Sequence, residues 1–234
     1  MAAVEDAHWW YRSTRALLAQ ELGPRLARGG RLLDVGGGTG ATGAWMAAHG
    51  ALVAADIEPM ALALYREQHG DATGLVASDV NRLPFADGAF DAVLCVTVLY
   101  HAGVPEPRLA VAELARVVRP GGVLCLWEPG VRRLSRAHDR VTHGARRFSL
   151  GQLRELLTAN GLTVERATGA YSFLVPPAAM KMVLERGETA SDLDRHESGL
   201  GGVLGAVAAA ERRLLRHASL PFGLSVLAVG RKPA

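Results

Sequence analysis

This sequence contains little cysteine and no long apolar run. Its 234 residues include two cysteines, Cys95 and Cys125, which lack the spacing of metal ligands, so we expect no metal site. No apolar run is long enough to span a bilayer, which predicts no membrane partner. Residues 1–11 lack a basic stretch followed by an apolar one, so no signal peptide is expected. These absences predict a cytoplasmic protein with reduced, buried cysteines.

Lysine is also scarce, since Lys181 and Lys232 are the only lysines among 26 basic residues. The formal net charge is +3, and arginines gather in one part of the second half of the chain. Such a cluster either binds an anionic substrate or nucleic acid, or forms a solvated helical face. We favour the solvated face and expect no nucleic-acid partner. The cluster consists of Arg132, Arg133, Arg136, Arg140, Arg146 and Arg147.

Glycine is abundant, and its densest stretch follows an apolar run that ends in Asp34. This pattern predicts a strand, a tight turn that a nucleotide-like ligand can approach closely, and a helix over about residues 41–49. Residues 38–43 fit the dinucleotide pattern G-x-G-x-x-G, although a plain strand-turn-helix junction also accounts for the glycines. The competing pattern D-x-G-x-G-x-G is formed by Asp34, Gly36, Gly38 and Gly40.

Two further predicted strands also end in acids. Asp56 closes the second strand, where its two carboxylate oxygens can accept hydrogen bonds from both hydroxyls of a ribose. Asp79 follows the third predicted strand, over about residues 74–78. Ile57 and Val80 come directly after these acids and are included in the predicted cofactor site.

Two longer motifs distinguish between the possible cofactors. Residues 83–93 read L-P-F-x-D-x-x-F-D-x-V, and residues 114–124 read L-x-x-V-x-R-P-G-G-x-L. With the glycine pattern, they resemble class I S-adenosylmethionine-dependent methyltransferases over about residues 31–129. The resemblance implies an α/β, Rossmann-like fold with a seven-stranded, mostly parallel sheet, strand order 3-2-1-4-5-7-6 and helices on both faces. It also implies S-adenosylmethionine as cofactor and S-adenosylhomocysteine as product.

The resemblance also suggests roles for the acids. Asp34 would lie near the ammonium and sulfonium charges of the cofactor, and Asp56 near its ribose. Asp79 would accept from the adenine amino group, while the backbone N–H of Val80 meets a ring nitrogen. Cys95, in the fourth predicted strand, is included among the cofactor contacts. A nicotinamide oxidoreductase is an alternative, against which Asp79 and the first long motif argue.

Aromatic residues stand unusually close to the start of the chain. Trp9, Trp10 and Tyr11 precede a helix predicted over about residues 13–22. They either staple the terminus to the body or form a lid over the cofactor, and E-x-x-H-W-W-Y resembles the opening of one bacterial group of methyltransferases. As a lid, residues 1–24 would exclude water with Trp10 and Tyr11, and Arg15 would pair with the carboxylate of the cofactor. Both interpretations remain open.

Three histidines are candidates for a catalytic base. His101 follows the fourth predicted strand, where it either accepts a proton from a substrate hydroxyl or contacts the next helix. His138 and His143 follow the fifth strand at the same predicted edge. Their separation is poor for metal binding from one helix face, and a structural role for each is the alternative.

Two segments outside the cofactor core, residues 131–148 and 171–221, are predicted to shape the substrate pocket. The second is an insertion between strands six and seven, with helices near residues 178–186 and 202–217. Its apolar side chains favour an apolar or aromatic substrate, although core packing explains them equally well. These side chains are Tyr171, Phe173, Met180 and Met182.

The chain lacks internal repeats and linkers, so we expect one domain over residues 1–234, as a monomer or homodimer. The resemblance implies methyl transfer to a small molecule, and O-methylation of a natural product or metabolite is our first hypothesis. N-methylation, C-methylation and a non-catalytic module that binds the cofactor and a partner protein are the alternatives.

Overall fold

The computed structural model describes residues 8–70, 74–131, 146–184 and 201–234. One seven-stranded sheet runs through this part of the chain, in the order β3-β2-β1-β4-β5-β7-β6. The strands are β1 (Gly30–Val35), β2 (Gly50–Asp56), β3 (Gly74–Ala77), β4 (Phe90–Val96), β5 (Val118–Pro129), β6 (Thr163–Ala170) and β7 (Ser225–Arg231). The described α-helices are α1 (Trp9–Leu22), α2 (Pro59–His69), α3 (Pro107–Val117), α4 (Leu150–Ala159), α5 (Val175–Leu184) and α6 (Gly201–Leu214).

Strands β1 to β5 are parallel, whereas β7 pairs antiparallel with both β5 and β6. The predicted order and the reversed last strand are therefore confirmed. This arrangement brings the carboxyl ends of β1 to β5 to one edge of the sheet. The residues that follow those strands consequently meet there, although they are far apart in the sequence.

The central strands are buried on both faces, which explains their continuous apolar runs. In β4, Val93 and Cys95 join one hydrophobic cluster, while Leu94 and Val96 join a second cluster on the other face. Helices α3 and α4 supply residues to the first cluster, and α1 and α6 supply residues to the second. The sheet is thus covered on both sides, as predicted. None of the described helices has the length and apolar character needed to cross a membrane.

Helix α4 follows its sequence signals closely. The Ser149 hydroxyl accepts from the Gln152 N–H, and the Gln152 side chain accepts from the Ser149 N–H, which forms a capping box. Gly161, with φ of +78°, follows the helix in the left-handed conformation expected after a C-terminus. Helix α1 instead begins at Trp9, four residues before the predicted start, because the His8 ring accepts from the Trp10 N–H.

The helix predicted over residues 41–49 is wrong. The chain forms turns there and then a short 3₁₀ helix, Ala44–Ala48. Gly40, at φ of +89°, and Gly43 both disfavour an α-helix. The Trp45 indole N–H also donates to the Thr42 carbonyl at 2.9 Å, so that carbonyl is satisfied outside a helical ladder.

Candidate functional site

A cavity of about 400 Å³ lies at the carboxyl ends of β1 to β4. Its volume is in the range of sites for cofactors and drug-sized ligands. Six of the residues predicted as cofactor contacts or base line it, together with residues that the sequence analysis did not select. The predicted ones are Gly36, Asp56, Ile57, Asp79, Val80 and His101; the others are Val35, Ser78, Val96, Thr97, Val98, Gly103 and Val104.

The glycine turn after β1 packs tightly against the segment that follows β4. A Cβ atom on Gly36 would lie 2.1 Å from Val98 Cγ2, and Gly36 has φ of +71°. Glycine is therefore required at this position by both space and backbone conformation. Gly40 packs in a comparable way against α2, because a Cβ atom there would lie 2.5 Å from the His69 ring. Gly36 lines the cavity, whereas Gly40 supports the turn from behind.

Asp56 is held in place by the backbone on two sides. The Gly38 N–H donates to its Oδ2 at 2.8 Å, and the Glu58 N–H donates to its Oδ1 at 2.9 Å. Each oxygen of a carboxylate has a further lone pair, so Asp56 can accept from a ligand while keeping both bonds. The next residue, Ile57, is 70% exposed, which offers apolar surface at the cavity for a planar ring.

Asp79 connects the cavity wall after β3 with the wall after β4. Its Oδ1 accepts from the Asn81 N–H at 2.9 Å and from Asn81 Nδ2 at 2.8 Å. Asn81 Nδ2 also donates to the Gly103 carbonyl at 3.1 Å. Beside Asp79, the buried Ser78 hydroxyl has no hydrogen-bond partner within the described ranges. The position of Ser78 directly after β3 is a sequence signal that would have identified it as a candidate site residue.

Asp34 lies beneath the glycine turn. Its side chain is buried, and neither carboxylate oxygen has a hydrogen-bond partner in the described part of the chain. Burial, followed by repulsion from Asp56, raises the pKa of Asp34 to about 7. A Cβ atom on Gly43 would lie 1.9 Å from Asp34 Oδ2, so Gly43 leaves the carboxylate its space. An unpartnered buried acid of this kind fits a cationic ligand group or an ordered water.

His101 is the predicted base that lies at the cavity. Its ring packs against the Tyr100 ring, with ring centroids 4.1 Å apart. Its backbone N–H donates to the Val98 carbonyl at 3.1 Å. His138 and His143 lie outside the described residues. Of the arginine cluster, Arg146 and Arg147 are described, and both donate to backbone carbonyls. These two arginines therefore have structural partners. Neither role predicted for the cluster, the binding of an anion or nucleic acid or a solvated helical face, requires such partners.

The N-terminal aromatic residues pack against the body of the protein. Tyr171, which is buried, has its ring 6.0 Å from that of Trp9 and 6.2 Å from that of Trp10. Its hydroxyl lies 2.7 Å from Thr14 Oγ1 and donates to the Trp10 carbonyl at 3.3 Å. These contacts support the staple interpretation, and they place Tyr171 in the core rather than in a substrate pocket.

Seven predicted cofactor contacts do not line the cavity, so their role stays a prediction: Trp10, Tyr11, Arg15, Asp34, Gly38, Gly40 and Cys95. Arg15 donates to the Ala41 carbonyl at 2.9 Å, which connects α1 with the chain after the glycine turn. Trp10 and Tyr11 are half-buried on α1. Cys95 is fully buried in the core, and burial raises the pKa of its thiol well above the usual range.

A second cavity of about 390 Å³ lies near the ends of β5 and β6 and the start of β7. Both predicted substrate segments contribute to its walls. Val131 and Phe148 belong to residues 131–148. Val175 lies near the start of residues 171–221, and Phe222 directly follows their end. The wall is mainly apolar, and Phe222 is 53% exposed. Within the described residues, no group of three or more histidines, cysteines or acids is placed to hold a metal ion.

The central part of the chain is similar to known methyltransferase sequences. A family profile described as a methyltransferase domain matches residues 33–126. Demethylmenaquinone methyltransferase of Clavibacter sepedonicus is 36% identical over 140 residues, which cover 57% of this chain and 54% of that protein. The chain spans about half the length of the curated demethylmenaquinone methyltransferases that it matches.

Solved structures show the same fold. The YcgJ protein of Bacillus subtilis has a TM-score of 0.63 at 20% identity, and the match covers 94% of this chain and 99% of that one. A phosphoethanolamine N-methyltransferase of Haemonchus contortus, crystallised with S-adenosylmethionine, has a TM-score of 0.61 at 18% identity. That match covers 95% of this chain and 53% of that one.

Proposed function

We propose, from the premise that residues 33–126 belong to the class I S-adenosylmethionine-dependent methyltransferases, that this protein transfers a methyl group to a small-molecule acceptor. The acceptor atom in this proposal is an oxygen of a natural product or another metabolite. The single observation that carries the proposal is the cavity at the carboxyl ends of β1 to β4, where Asp56 and Asp79 stand at the ends of adjacent strands. The two free, buried cysteines favour a cytoplasmic location for the reaction.

The acids at the cavity fit S-adenosylmethionine. Asp56 would hold the ribose hydroxyls, because its carboxylate is fixed by two backbone N–H groups and retains acceptor capacity. Asp79 and Val80 would hold the adenine, with Ile57 covering the ring. Asp34 would complement positive charge, because its buried oxygens have no partner in the described residues. The cofactor supplies an electrophilic methyl group, and Trp10, Tyr11 and Arg15 remain proposed contacts of its methionine end.

The residues of this chain contribute binding, alignment and exclusion of water. Transfer from a sulfonium to an oxygen nucleophile disperses charge, so a desolvated and well-aligned site favours it. His101 lines the cavity and would accept the proton that the acceptor hydroxyl loses, at one of its ring nitrogens.

The second cavity supports an apolar or aromatic acceptor. It lies at the same edge of the sheet as the first and has a mainly apolar wall. The curated relatives are named for demethylmenaquinone, a quinone, which is consistent with an acceptor of this kind. The alternatives to an oxygen acceptor are a nitrogen or a carbon atom of a small molecule.

Calorimetric titration with S-adenosylmethionine, S-adenosylhomocysteine and NAD tests the proposal first. We expect micromolar binding of the first two ligands and no binding of NAD. Binding of NAD alone would overturn the proposal. A methyl-transfer assay with hydroxylated aromatic compounds and quinols then separates an enzyme from a binding module, because a module would bind the cofactor without turnover.

A further inference from the structure

We propose that Glu128 is a positioning residue, which fixes the segment after β4 (residues 97–104) and thereby sets the shape of the cavity. This inference rests on the proposed function, in that the cavity is taken as the cofactor site. Glu128 does not line the cavity. It lies at the end of β5, where its side chain is completely buried.

The carboxylate of Glu128 accepts three consecutive backbone N–H groups. The Val98 and Leu99 N–H groups donate to Oε1 at 3.2 and 2.8 Å, and the Tyr100 N–H donates to Oε2 at 3.2 Å. The chain turns sharply just before them, because Thr97 has φ of +52°. A non-glycine residue in this conformation is strained and persists only where its surroundings hold it. The three bonds to Glu128 supply that constraint.

Arg146 holds the same segment through its carbonyl groups. Its guanidinium donates to the Leu99 carbonyl at 3.2 Å and also to the Val104 carbonyl, while its backbone N–H donates to the Tyr100 carbonyl at 3.3 Å. Glu128 therefore accepts from the N–H groups of the segment, while Arg146 donates to its carbonyl groups. Removal of either partner leaves buried backbone groups without a hydrogen bond.

The position of this segment decides the shape of the cavity. Thr97, Val98, His101, Gly103 and Val104 all line it. The segment also contacts the other walls, since the Val98 side chain leaves no room for a Cβ on Gly36, and the Gly103 carbonyl accepts from Asn81. A shift of the segment would therefore move His101 and disturb the glycine turn.

Burial of the Glu128 carboxyl group costs free energy, which argues that its three hydrogen bonds stabilise the segment. Burial raises the pKa of Glu128 to about 8, although the three N–H donors and Arg146 act to lower it. An apolar side chain at this position would avoid that cost but would leave three N–H groups without an acceptor.

The Glu128→Gln variant tests this role. Glutamine keeps one oxygen for Val98 and Leu99 but presents an N–H₂ group to the Tyr100 N–H. We expect hydrogen exchange of the amides of residues 98–100 to accelerate about tenfold or more, and S-adenosylhomocysteine affinity to fall about tenfold. Exchange in α4 should stay at the wild-type rate. Glu165→Gln is the matched control, because Glu165 pairs with Arg25 and Arg231 away from the cavity.

Arg146→Met provides a second variant that acts on the same segment from the carbonyl side. It should accelerate exchange in residues 98–104 and weaken ligand binding, which keeps the test valid if Glu128→Gln does not fold. Wild-type exchange and affinity in both variants would overturn the positioning role. If the wild-type protein bound no S-adenosylhomocysteine, the proposed function would fail, and the exchange comparison would still decide whether Glu128 holds the segment.

Discussion

At the scale of single residues, the site is built from acids that end strands. Asp34 lies in β1 just before its end, Asp56 is the last residue of β2 and Asp79 follows β3, yet their surroundings differ. Asp56 and Asp79 lie at the cavity and accept from nearby backbone N–H groups, whereas Asp34 is buried without a partner among the described residues. The same residue type therefore offers two hydrogen-bonding acids at the cavity and one acid whose protonation depends on its burial.

The Asp56→Asn variant should bind S-adenosylhomocysteine about 10- to 100-fold more weakly than the wild type. Asparagine keeps one acceptor oxygen but turns an N–H₂ group toward either a ribose hydroxyl or a backbone N–H. Calorimetric titration measures the change, with the exposed Glu67→Gln on α2 as control. Wild-type affinity in Asp56→Asn would remove Asp56 from the binding site.

The His101→Ala variant should slow turnover at least about 100-fold while it changes S-adenosylhomocysteine affinity less than threefold, as general-base catalysis typically contributes that much. The comparison requires steady-state rates for the identified acceptor and a separate binding titration. The exposed His217→Ala is the control. Equal losses of binding and turnover would show that His101 has a structural role.

At the scale of elements, the segment after β6 is tied to both α1 and α6. Tyr171 has φ of +57°, and its N–H donates to Glu211 of α6 at 2.5 Å. Glu211 also accepts from the Ser172 N–H at 2.9 Å. Together with the bond between Tyr171 and Thr14, these contacts join α1, the turn after β6 and α6. The N-terminal helix is thus fastened by the insertion that precedes β7.

The Tyr171→Phe variant should lower the free energy of unfolding by about 1–3 kcal/mol, because the buried Thr14 hydroxyl loses its partner. The double variant Tyr171→Phe/Thr14→Val should recover part of that loss, since it replaces both polar partners. Urea unfolding of the two variants and the wild type gives the values. If the single variant were as stable as the wild type, the hydroxyl pair would not fasten α1.

At the scale of the whole molecule, two buried acids connect stability to pH. Burial raises the pKa of Asp34 to about 7 and that of Glu128 to about 8, so the folded protein binds protons that the unfolded chain has released. The free energy of unfolding should consequently fall as pH rises from the usual range of a carboxyl group toward pH 7 to 8.

The Asp34→Asn variant, which mimics the protonated acid, should flatten this dependence. Between pH 5 and pH 7.5, the free energy of unfolding should fall less in this variant than in the wild type. The difference should be on the order of 1–3 kcal/mol. Thermal unfolding across this range tests the expectation, with the exposed Asp87→Asn as control. Parallel pH profiles for the wild type and Asp34→Asn would show that Asp34 is ionised throughout.

Several parts of the site were predictable from local patterns. Asp56 and Asp79 end apolar runs, and parallel strands bring their carboxyl ends to one edge, so their proximity follows from strand order. Other parts depend on contacts between distant segments. Glu128 is an ordinary acid in the sequence, and its role appears only because β5 lies beside β4, which places the N–H groups of Val98 to Tyr100 at its carboxylate.

Local propensity also failed in identifiable places. The strand and glycine turn predicted a helix after β1 that the chain does not form. Gly43 leaves space for the Asp34 carboxylate, and the Trp45 indole N–H donates to the Thr42 carbonyl. Both features favour turns and a 3₁₀ helix. The aromatic residues near the start left staple and lid equally open. Their contact with Tyr171, more than a hundred residues away, favours the staple.

The motifs of the sequence, through their resemblance to a known family, implied the strand order and the cofactor class. The sequence by itself also determined the acids at the ends of β2 and β3, because they end apolar runs, and neighbouring residues encode such a pattern. The tertiary structure alone decided that Asp34 is buried without a partner among the described residues, that Glu128 and Arg146 clamp the segment after β4, and that Tyr171 fastens α1. Burial and hydrogen bonding between distant segments arise only when the sheet brings those segments together.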